Sequence, residues 1–480
     1  MKIAVLGGSP KGETSVTMQY VRWIRENLRG HEIETFQIAS RIAALERDEA
    51  TFASVIEAVQ GADAVLWAFP LYVFTVCSQY KRFIELVWDR GAAEAFRGKY
   101  AASLSTSIHF FDHTAHEYIR GVSEDLGMAF TASFSPKMDD LKKPECRKQL
   151  LSFAEELVGA AEKKLPLPRR TAALPPRGSA AGAPRATEPV SSPKSSPPTG
   201  KRVLVLVDYP ELAVGAMARR YAAAARSAGE NVELLGLEEM GMKGGCLGCL
   251  KCGQANHCAY EGKDGFIESF RSKVMTADLL VFAGTIKDRA FSARWKAFFD
   301  RSFFNTHQRT LMGKQFLILA AGPLSVLGNL RETLQAYVEW QGGNLVDFVS
   351  DEAPQGSEPS SSHRLDELID AAAARSGAAL AAGAMKPATF LGVGGMKIFR
   401  DDIYDELRIV FKADHRAYKK EGVYDFPQRN PIKRFAVWLG YWITSIPAVY
   451  RGMIRNFPDF MIMQYKPVFA RSGRSAKVRP

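Results

Sequence analysis

Four of the chain's six cysteines fall within thirteen residues: Cys246, Cys249, Cys252 and Cys258, spaced C-x2-C-x2-C-x5-C. Three thiolates at successive x2 spacings can converge from one tight loop on a cubane, and the fourth closes the cage from just downstream. Only Cys77 and Cys146 lie elsewhere, so no second set shares Cys258, and all four would ligate a single [4Fe–4S] cluster. Zinc is the rival, although its ligand pairs usually come from two separated knuckles. Four thiols with no metal is the third reading, a poor one at this density.

A second constellation opens the chain. Behind the apolar run Ile3–Leu6 stand Gly7-Gly8-Ser9-Pro10-Lys11-Gly12-Glu13-Thr14-Ser15-Val16-Thr17, which lead into a helical pattern. Glycines let the backbone approach an anion, and a helix N-terminus supplies N–H groups and a positive dipole end. Ser9, Ser15 and Thr17 add hydroxyls, and Lys11 adds charge. This is neither a Walker loop nor a G-x-G-x-x-G turn. A merely capped helix would need one of these hydroxyls; the surplus points to a phosphate. Two further loops could complete the pocket: Pro70, Leu71, Tyr72 and Val73 after one strand, and Thr106, Ser107 and His109 after the next. Loops at the carboxyl ends of neighbouring parallel strands meet where ligands bind. Tyr72 could stack on a planar ring or be a plain surface aromatic, and His109 could contact the ligand or fill its loop.

The elements that position these residues repeat. Lys2-Ile3-Ala4-Val5-Leu6 matches Lys201-Arg202-Val203-Leu204-Val205 at an offset of 199. Further on the offset is 215, pairing Ala62–Leu66 with Ala277–Val281, Lys81 with Lys296, and Gly98-Lys99 with Gly313-Lys314. The 16 extra residues hold the cysteine loop, an insertion at one edge of a duplicated domain. Short apolar runs alternating with amphipathic ones predict parallel sheets covered on both faces. The expected architecture is α/β: two tandem doubly wound domains with strand order 2-1-3-4-5, over residues 1–165 and 201–385, plus a mostly helical extension over 386–480. Residues 166–200 are Pro-, Ala- and Ser-rich and predict a disordered linker, whose 35 residues span roughly 30 Å. At the offset of 199, Asp208, Pro210, Val214 and Ala216 stand where the first half has Ser9, Lys11, Ser15 and Thr17, with Glu211 beside them. The donors are gone, and carboxylates repel a phosphate.

At this point the chain resembles the flavodoxin-like NAD(P)H-dependent FMN reductases, and in particular it is similar to their iron–sulfur flavoprotein branch. The resemblance rests on GGSPKGETSVT, PLYVFTVCSQYKRF and CLGCLKCGQANHC, and covers residues 1–165 and 201–350. It implies FMN held by Ser9, Lys11, Ser15, Thr17, Pro70, Leu71, Tyr72, Val73, Thr106, Ser107 and His109, and a [4Fe–4S] cluster on the four cysteines. In dimers of that branch the cluster lies near the partner subunit's flavin. Here each half keeps what the other lost. A fused pseudo-dimer is therefore expected, monomeric or homodimeric, with residues 241–262 beside the loops at 9–17 and 70–75. The function implied is an oxidoreductase passing electrons between NAD(P)H or a ferredoxin-like donor, the cluster and FMN to a small acceptor such as a quinone, free flavin or oxygen species. A non-catalytic electron carrier and a zinc-stapled membrane- or partner-docking protein are the alternatives. No acid–base dyad or nucleophile stands out, so no catalytic residue is assigned.

The net charge of +11 is unevenly placed. Residues 386–480 carry 18 basic against 8 acidic side chains, whereas 1–165 and 201–385 are near neutral. A basic tail can meet anionic lipid or an acidic redox partner; no nucleic-acid partner is expected. Asp401–Lys420 reads as one polar helix, in which Asp414 and His415 point different ways. Phe435–Tyr450 is uncharged between Lys433-Arg434 and Arg451. It is too short to span a bilayer, which leaves peripheral membrane contact through 433–451 or a helix packed on the α/β domains. Packing is preferred because the apolar residues form no clean face over the whole segment. Low cysteine usage and an opening apolar run too short for a signal core predict a cytoplasmic protein, membrane-peripheral at most.

Overall fold

The buried apolar runs of each half become parallel strands. β1 (Lys2–Gly7), β2 (Glu32–Gln37), β3 (Ala64–Pro70), β4 (Tyr100–Thr106) and β5 (Ala129–Phe134) form one sheet in the order β2-β1-β3-β4-β5. β6 (Arg202–Val207), β7 (Asn231–Gly236), β8 (Leu279–Thr285), β9 (Gln315–Ala321) and β10 (Asn344–Ser350) form the second, in the order β10-β9-β8-β6-β7. Counted within its own half, each sheet runs 2-1-3-4-5, as the sequence predicts. β3, β4, β8 and β9 are buried almost throughout, as strands covered on both faces must be. This computed structural model describes residues 1–175, 200–352, 362–426 and 429–463. The chain divides into two units, Met1–Ala417 and Tyr418–Pro480.

Within the first unit the two sheets meet through matching helices, Ser78–Asp89 and Ala293–Ser302. Their buried charges repeat at the offset of 215. Lys81 Nζ donates to Glu85 at 2.9 Å and to Asp288 at 3.0 Å, and Tyr118 donates to the same Asp288 oxygen at 3.0 Å. Lys296 Nζ donates to Asp300 and, at 3.1 Å, to the carbonyl of Tyr72. Desolvating an ion costs several kcal/mol unless it is paired, and each of these is paired. Burial opposes the Lys81 charge, but the Asp288 and Glu85 carboxylates outweigh it and hold the ammonium above its usual range.

One alignment drawn from the sequence is off by a residue. The N–H of Gly8 donates to the Ala68 carbonyl, and that of Asp208 donates to the Ala283 carbonyl. Since 68 and 283 are equivalent, Asp208 is the counterpart of Gly8, not of Ser9. The slip is already present in the strands, since Ile3 pairs with Ala64 and Val203 with Leu279; the turn after β6 is also shorter than the turn after β1, and helices begin at Ala213 and Val16 respectively. The residues that follow Asp208, Tyr209-Pro210-Glu211, still offer no hydroxyl like those of Ser9 and Ser15.

The segment 401–420 is not one helix. A helix Phe390–Tyr404 ends at Asp405, a short turn covers Glu406–Ile409, and a new helix runs Lys412–Lys420. Long-range contacts override the local pattern. Phe411 packs its ring against His307, 4.6 Å between centroids, and Asp414 accepts from His307 Nδ1 at 2.7 Å. The start of the expected linker is hydrogen-bonded to the first half: Arg169 pairs with Asp125, and the Thr171 N–H donates to Glu124 at 2.9 Å. The rest of that segment, 176–199, lies outside the described residues.

In the second unit, a helix Pro431–Thr444 is capped by Asn430 and followed by a helix Pro447–Met463. None of the residues of the first is buried. Ending the helix at Thr444 changes the pattern. Ile432, Phe435, Trp438, Leu439, Trp442 and Ile443 then share one arc at helical spacing. Among the described residues no helix is long and apolar enough to cross a membrane.

Candidate flavin and thiol site

Three loops of the first half converge at the carboxyl ends of β1, β3 and β4. Thr17, at the start of the helix Val16–Asn27, shares a 2.6 Å hydrogen bond with Thr106 at the end of β4. The Leu71 N–H, just past Pro70, donates to the Thr106 carbonyl at 3.2 Å. Tyr72 and Thr75 exchange backbone hydrogen bonds of 2.8 Å, closing a tight turn that includes Val73 and places Phe74 at φ 66°. Ser107 accepts from the N–H of His109 at 2.9 Å, and His109 Nδ1 meets Asp112 at 2.9 Å.

The hydroxyls of this region are buried yet keep protons to give. Ser9 Oγ accepts from the Lys11 N–H at 3.2 Å, and Ser15 Oγ, the N-cap, accepts from the Met18 N–H at 3.2 Å. Each oxygen is thereby oriented, while its own O–H still has a bond to make. Ser9, Ser15 and Thr17 are all less than 5% exposed. Oriented donors around a helix N-terminus fit a phosphate. Gly8 is obligatory beneath them, because a Cβ there would come within 2.8 Å of Phe69 and of the Tyr80 ring.

The second half has filled the same place with its own carboxylate. Asp208 is fully buried and accepts from the Thr285 N–H at 3.0 Å and from the Ser292 hydroxyl at 2.6 Å. Burial raises its pKa to about 6 against the opposing pull of those donors. An internal anion thus consumes the donors that an external one would need.

The cysteine loop lies directly over the first site. A Cβ on Gly248 would sit 2.0 Å from the Tyr72 hydroxyl and 3.3 Å from Lys11 Cε, and Gly248 has φ 62°. Gln79 Nε2 donates to the Cys246 carbonyl at 3.0 Å, and a Cβ on Gly245 would meet Ser78 Oγ at 2.2 Å. The loop 241–262 therefore packs beside 70–75 and Lys11 of the same chain, as expected. Burial, then the neighbouring Cys246, pushes the Tyr72 phenol up.

All four cysteines line one cavity, together with Arg301 and Phe304. Leu250 and Asn256 take positive φ of 58° and 59°, costly for residues with a Cβ, and this turns the loop inward. Burial raises Cys246 and Cys252 to about 12, so a metal must displace their protons to bind. Beside them the buried Arg301 pairs with Asp264 at 2.8 Å and lies 4.1 Å from the Tyr260 ring centre. Among the described residues no group of three or more His, Cys, Asp or Glu side chains is placed to hold a metal ion. The loop gathers the thiols around a shared space without drawing them to bonding distance of one point.

Several residues that shape this region give no sequence signal. His116 is buried between Ser103 (2.7 Å) and Ser105 (2.9 Å), and Ser105 continues through Ser135 to Asp112 and His109. Burial lowers the His116 pKa to about 4, which keeps the ring neutral. On the other side of the cysteine loop, Arg416 donates to the Gln254 carbonyl at 2.6 Å, and Gly253 passes so close that a Cβ would lie 2.4 Å from the Val410 carbonyl oxygen. Gly248 was discoverable: a glycine inside a cysteine motif marks close backbone approach.

The family profile described as NADPH-dependent FMN reductase matches residues 1–133 and again 203–348, once over each sheet. The chain belongs to this family and is an NAD(P)H-dependent flavin oxidoreductase. Among solved structures it is similar to an oxidoreductase from Corynebacterium diphtheriae, at 16% identity over 34% of this chain and 98% of that one, TM-score 0.30. An NADH:FMN oxidoreductase in its apo form matches at 17% identity over 32% and 87%, TM-score 0.28. The flavoenzyme NAD(P)H:(acceptor) oxidoreductase of Paracoccus denitrificans matches at 16% over 33% and 97%, TM-score 0.27. No curated protein matches the chain.

Proposed function

We propose that the chain is a fused pseudo-dimer that holds one FMN in its first half and one [4Fe–4S] cluster on Cys246, Cys249, Cys252 and Cys258, and passes electrons from NAD(P)H to a small acceptor. The observation that carries this reading is the contact of Gly248 with Tyr72 and Lys11, which sets a four-thiol loop against a phosphate-type loop. When bound, FMN supplies hydride acceptance and the cubane supplies one-electron transfer. The chain's own residues bind and orient. Ser9, Ser15 and the Thr17–Thr106 pair donate to the phosphate, and the loop Pro70–Val73 with Thr106, Ser107 and His109 borders the ring. Tyr72, capped by Gly248, excludes water between the two sites. Arg301, paired with Asp264, walls the thiol cavity.

NAD(P)H is the donor in this reading, and a ferredoxin-like protein is the alternative one. A quinone, free flavin or an oxygen species is the acceptor, in a cytoplasmic setting. Protein purified without oxygen should carry one FMN and about four iron and four sulfide per chain, as a cubane on four thiolates requires. Cys249→Ala should abolish the iron and leave the flavin. One zinc without sulfide would decide for a structural staple, and neither metal would leave the flavin enzyme alone.

A further inference from the structure

The helix Pro431–Thr444 carries large apolar side chains that are all open to solvent: Phe435 is 62% exposed, Trp438 57% and Trp442 56%. With Ile432, Leu439 and Ile443 they share one arc, and Lys433 and Arg434 lie off that arc on either side. The following helix adds exposed Val449, Tyr450 and Ile454, with Arg451 and Arg455 among them. From Pro427 to the C-terminus there are ten basic residues and one acidic residue, Asp459. Residues 427–480 therefore supply nine of the chain's eleven excess positive charges. Fourteen residues make a helix of about 21 Å, short of the roughly 30 Å hydrocarbon core.

We infer that this helical pair is an interfacial anchor for an anionic lipid surface. An apolar arc rich in tryptophan bordered by Lys433 and Arg434 is the pattern of a helix lying in the headgroup plane; Val437 and Tyr441 lie on the opposite face. Tryptophan and tyrosine sit at headgroup depth, and each Lys or Arg near an anionic surface adds attraction. A protein partner that buries this face would need acidic groups around an apolar groove; a bilayer with negative headgroups supplies both at once. This inference is independent of the flavin and cluster assignments.

The test is co-sedimentation of the full chain with vesicles of phosphatidylcholine alone or mixed with phosphatidylglycerol. Binding should require phosphatidylglycerol, weaken in high salt and shift tryptophan emission to the blue. Trp438→Glu with Trp442→Glu should weaken binding at least about tenfold, and so should Lys433→Glu with Arg434→Glu. NADPH oxidation in solution should be unchanged in both, which shows that the rest of the chain is folded. Equal binding by the variants, or none by the parent chain, would overturn the inference. So would a concentration-dependent dimer that the Trp438/Trp442 variant abolishes, since the face would then belong to a second copy.

Discussion

Asp300 accepts a hydrogen bond from the backbone N–H of Ser78 at 2.7 Å, so a side chain of the second half caps a helix of the first. The reciprocal contact exists: Glu85 accepts from the N–H of Ala293 at 2.7 Å, and Ala293 and Asp300 stand 215 positions after Ser78 and Glu85. Ser78 directly follows the loop that carries Tyr72, and Lys296, paired to Asp300, donates to the Tyr72 carbonyl. The second half thus fixes the Tyr72 loop of the first half, which gives physical content to its retention without hydroxyls like those of Ser9 and Ser15.

Asp300→Ala should therefore do two things. It leaves Lys296 buried without its carboxylate and the Ser78 N–H without its cap, a change that costs about 3–5 kcal/mol for a broken buried pair. It also frees the Tyr72 loop, so FMN should dissociate more readily. Thermal unfolding and flavin release check both. An unchanged melting temperature would show that the reciprocal caps carry no energetic weight.

Gly248→Ala should disturb the junction of the two sites, since the new Cβ collides with the Tyr72 hydroxyl. Tyr72→Phe removes that oxygen, and the ring carbon behind it lies 3.2 Å from the Cβ position. The double variant should recover most of the loss but not all. A positive φ still costs alanine about 1 kcal/mol. Visible spectra and melting temperatures of the two single variants and the double variant measure the coupling. Simple additivity would mean that the glycine is needed only for its φ.

The architecture was legible because apolar runs of strand length recur at fixed offsets, and the offset of 215 holds from Ala62 to Gly342. The thiol loop was legible from spacing, and its position from the insertion point. What escaped were relations between distant residues. By type alone Asp208 reads as a carboxylate that repels a phosphate; it is buried and satisfied by Thr285 and Ser292, which lie more than seventy positions away. The sequence sets Asp414 beside His415, but its partner is His307. The single-helix reading of 401–420 failed for the same reason, since the fold of Phe411 onto His307 is invisible to helical periodicity. The slip that placed Asp208 opposite Ser9 began in the strands: Ile3 pairs with Ala64 and Val203 with Leu279, an offset of 200, whereas matching Lys2 to Lys201 by residue type gives 199.

The buried Asp208 predicts a pH dependence of stability. Burial raises its folded-state pKa to about 6, above the ordinary carboxylate value near 4. Its favourable contribution is fully present below about pH 4 and is lost as pH rises through about 6. The span amounts to at most about 3 kcal/mol. Asp351, also raised to about 6 by burial, acts in the same direction, whereas His116, lowered to about 4, acts oppositely as pH falls. Asp208→Asn isolates one term. The stability difference between parent and variant should grow in the parent's favour as pH falls from 7 to 5. A difference independent of pH would show that Asp208 titrates normally.

Flavin stoichiometry should be one per chain, and Ser15 provides a test that separates binding from folding. Ser15 is the N-cap of the helix Val16–Asn27 and accepts from the Met18 N–H. Aspartate caps a helix as well as serine does, so Ser15→Asp keeps the capping bond; since Ser15 is only 4% exposed, the melting temperature of the flavin-free variant measures the desolvation cost of its carboxylate separately. Its carboxylate would face the phosphate where a hydroxyl proton now points. Losing one charge-assisted hydrogen bond and adding like-charge repulsion should weaken FMN at least about a hundredfold. Fluorescence titration with FMN of the flavin-stripped parent and variant measures this directly. Retention of FMN by Ser15→Asp, or two flavins per parent chain, would place the phosphate elsewhere and reopen the second half, where Asp208 now stands in for the anion.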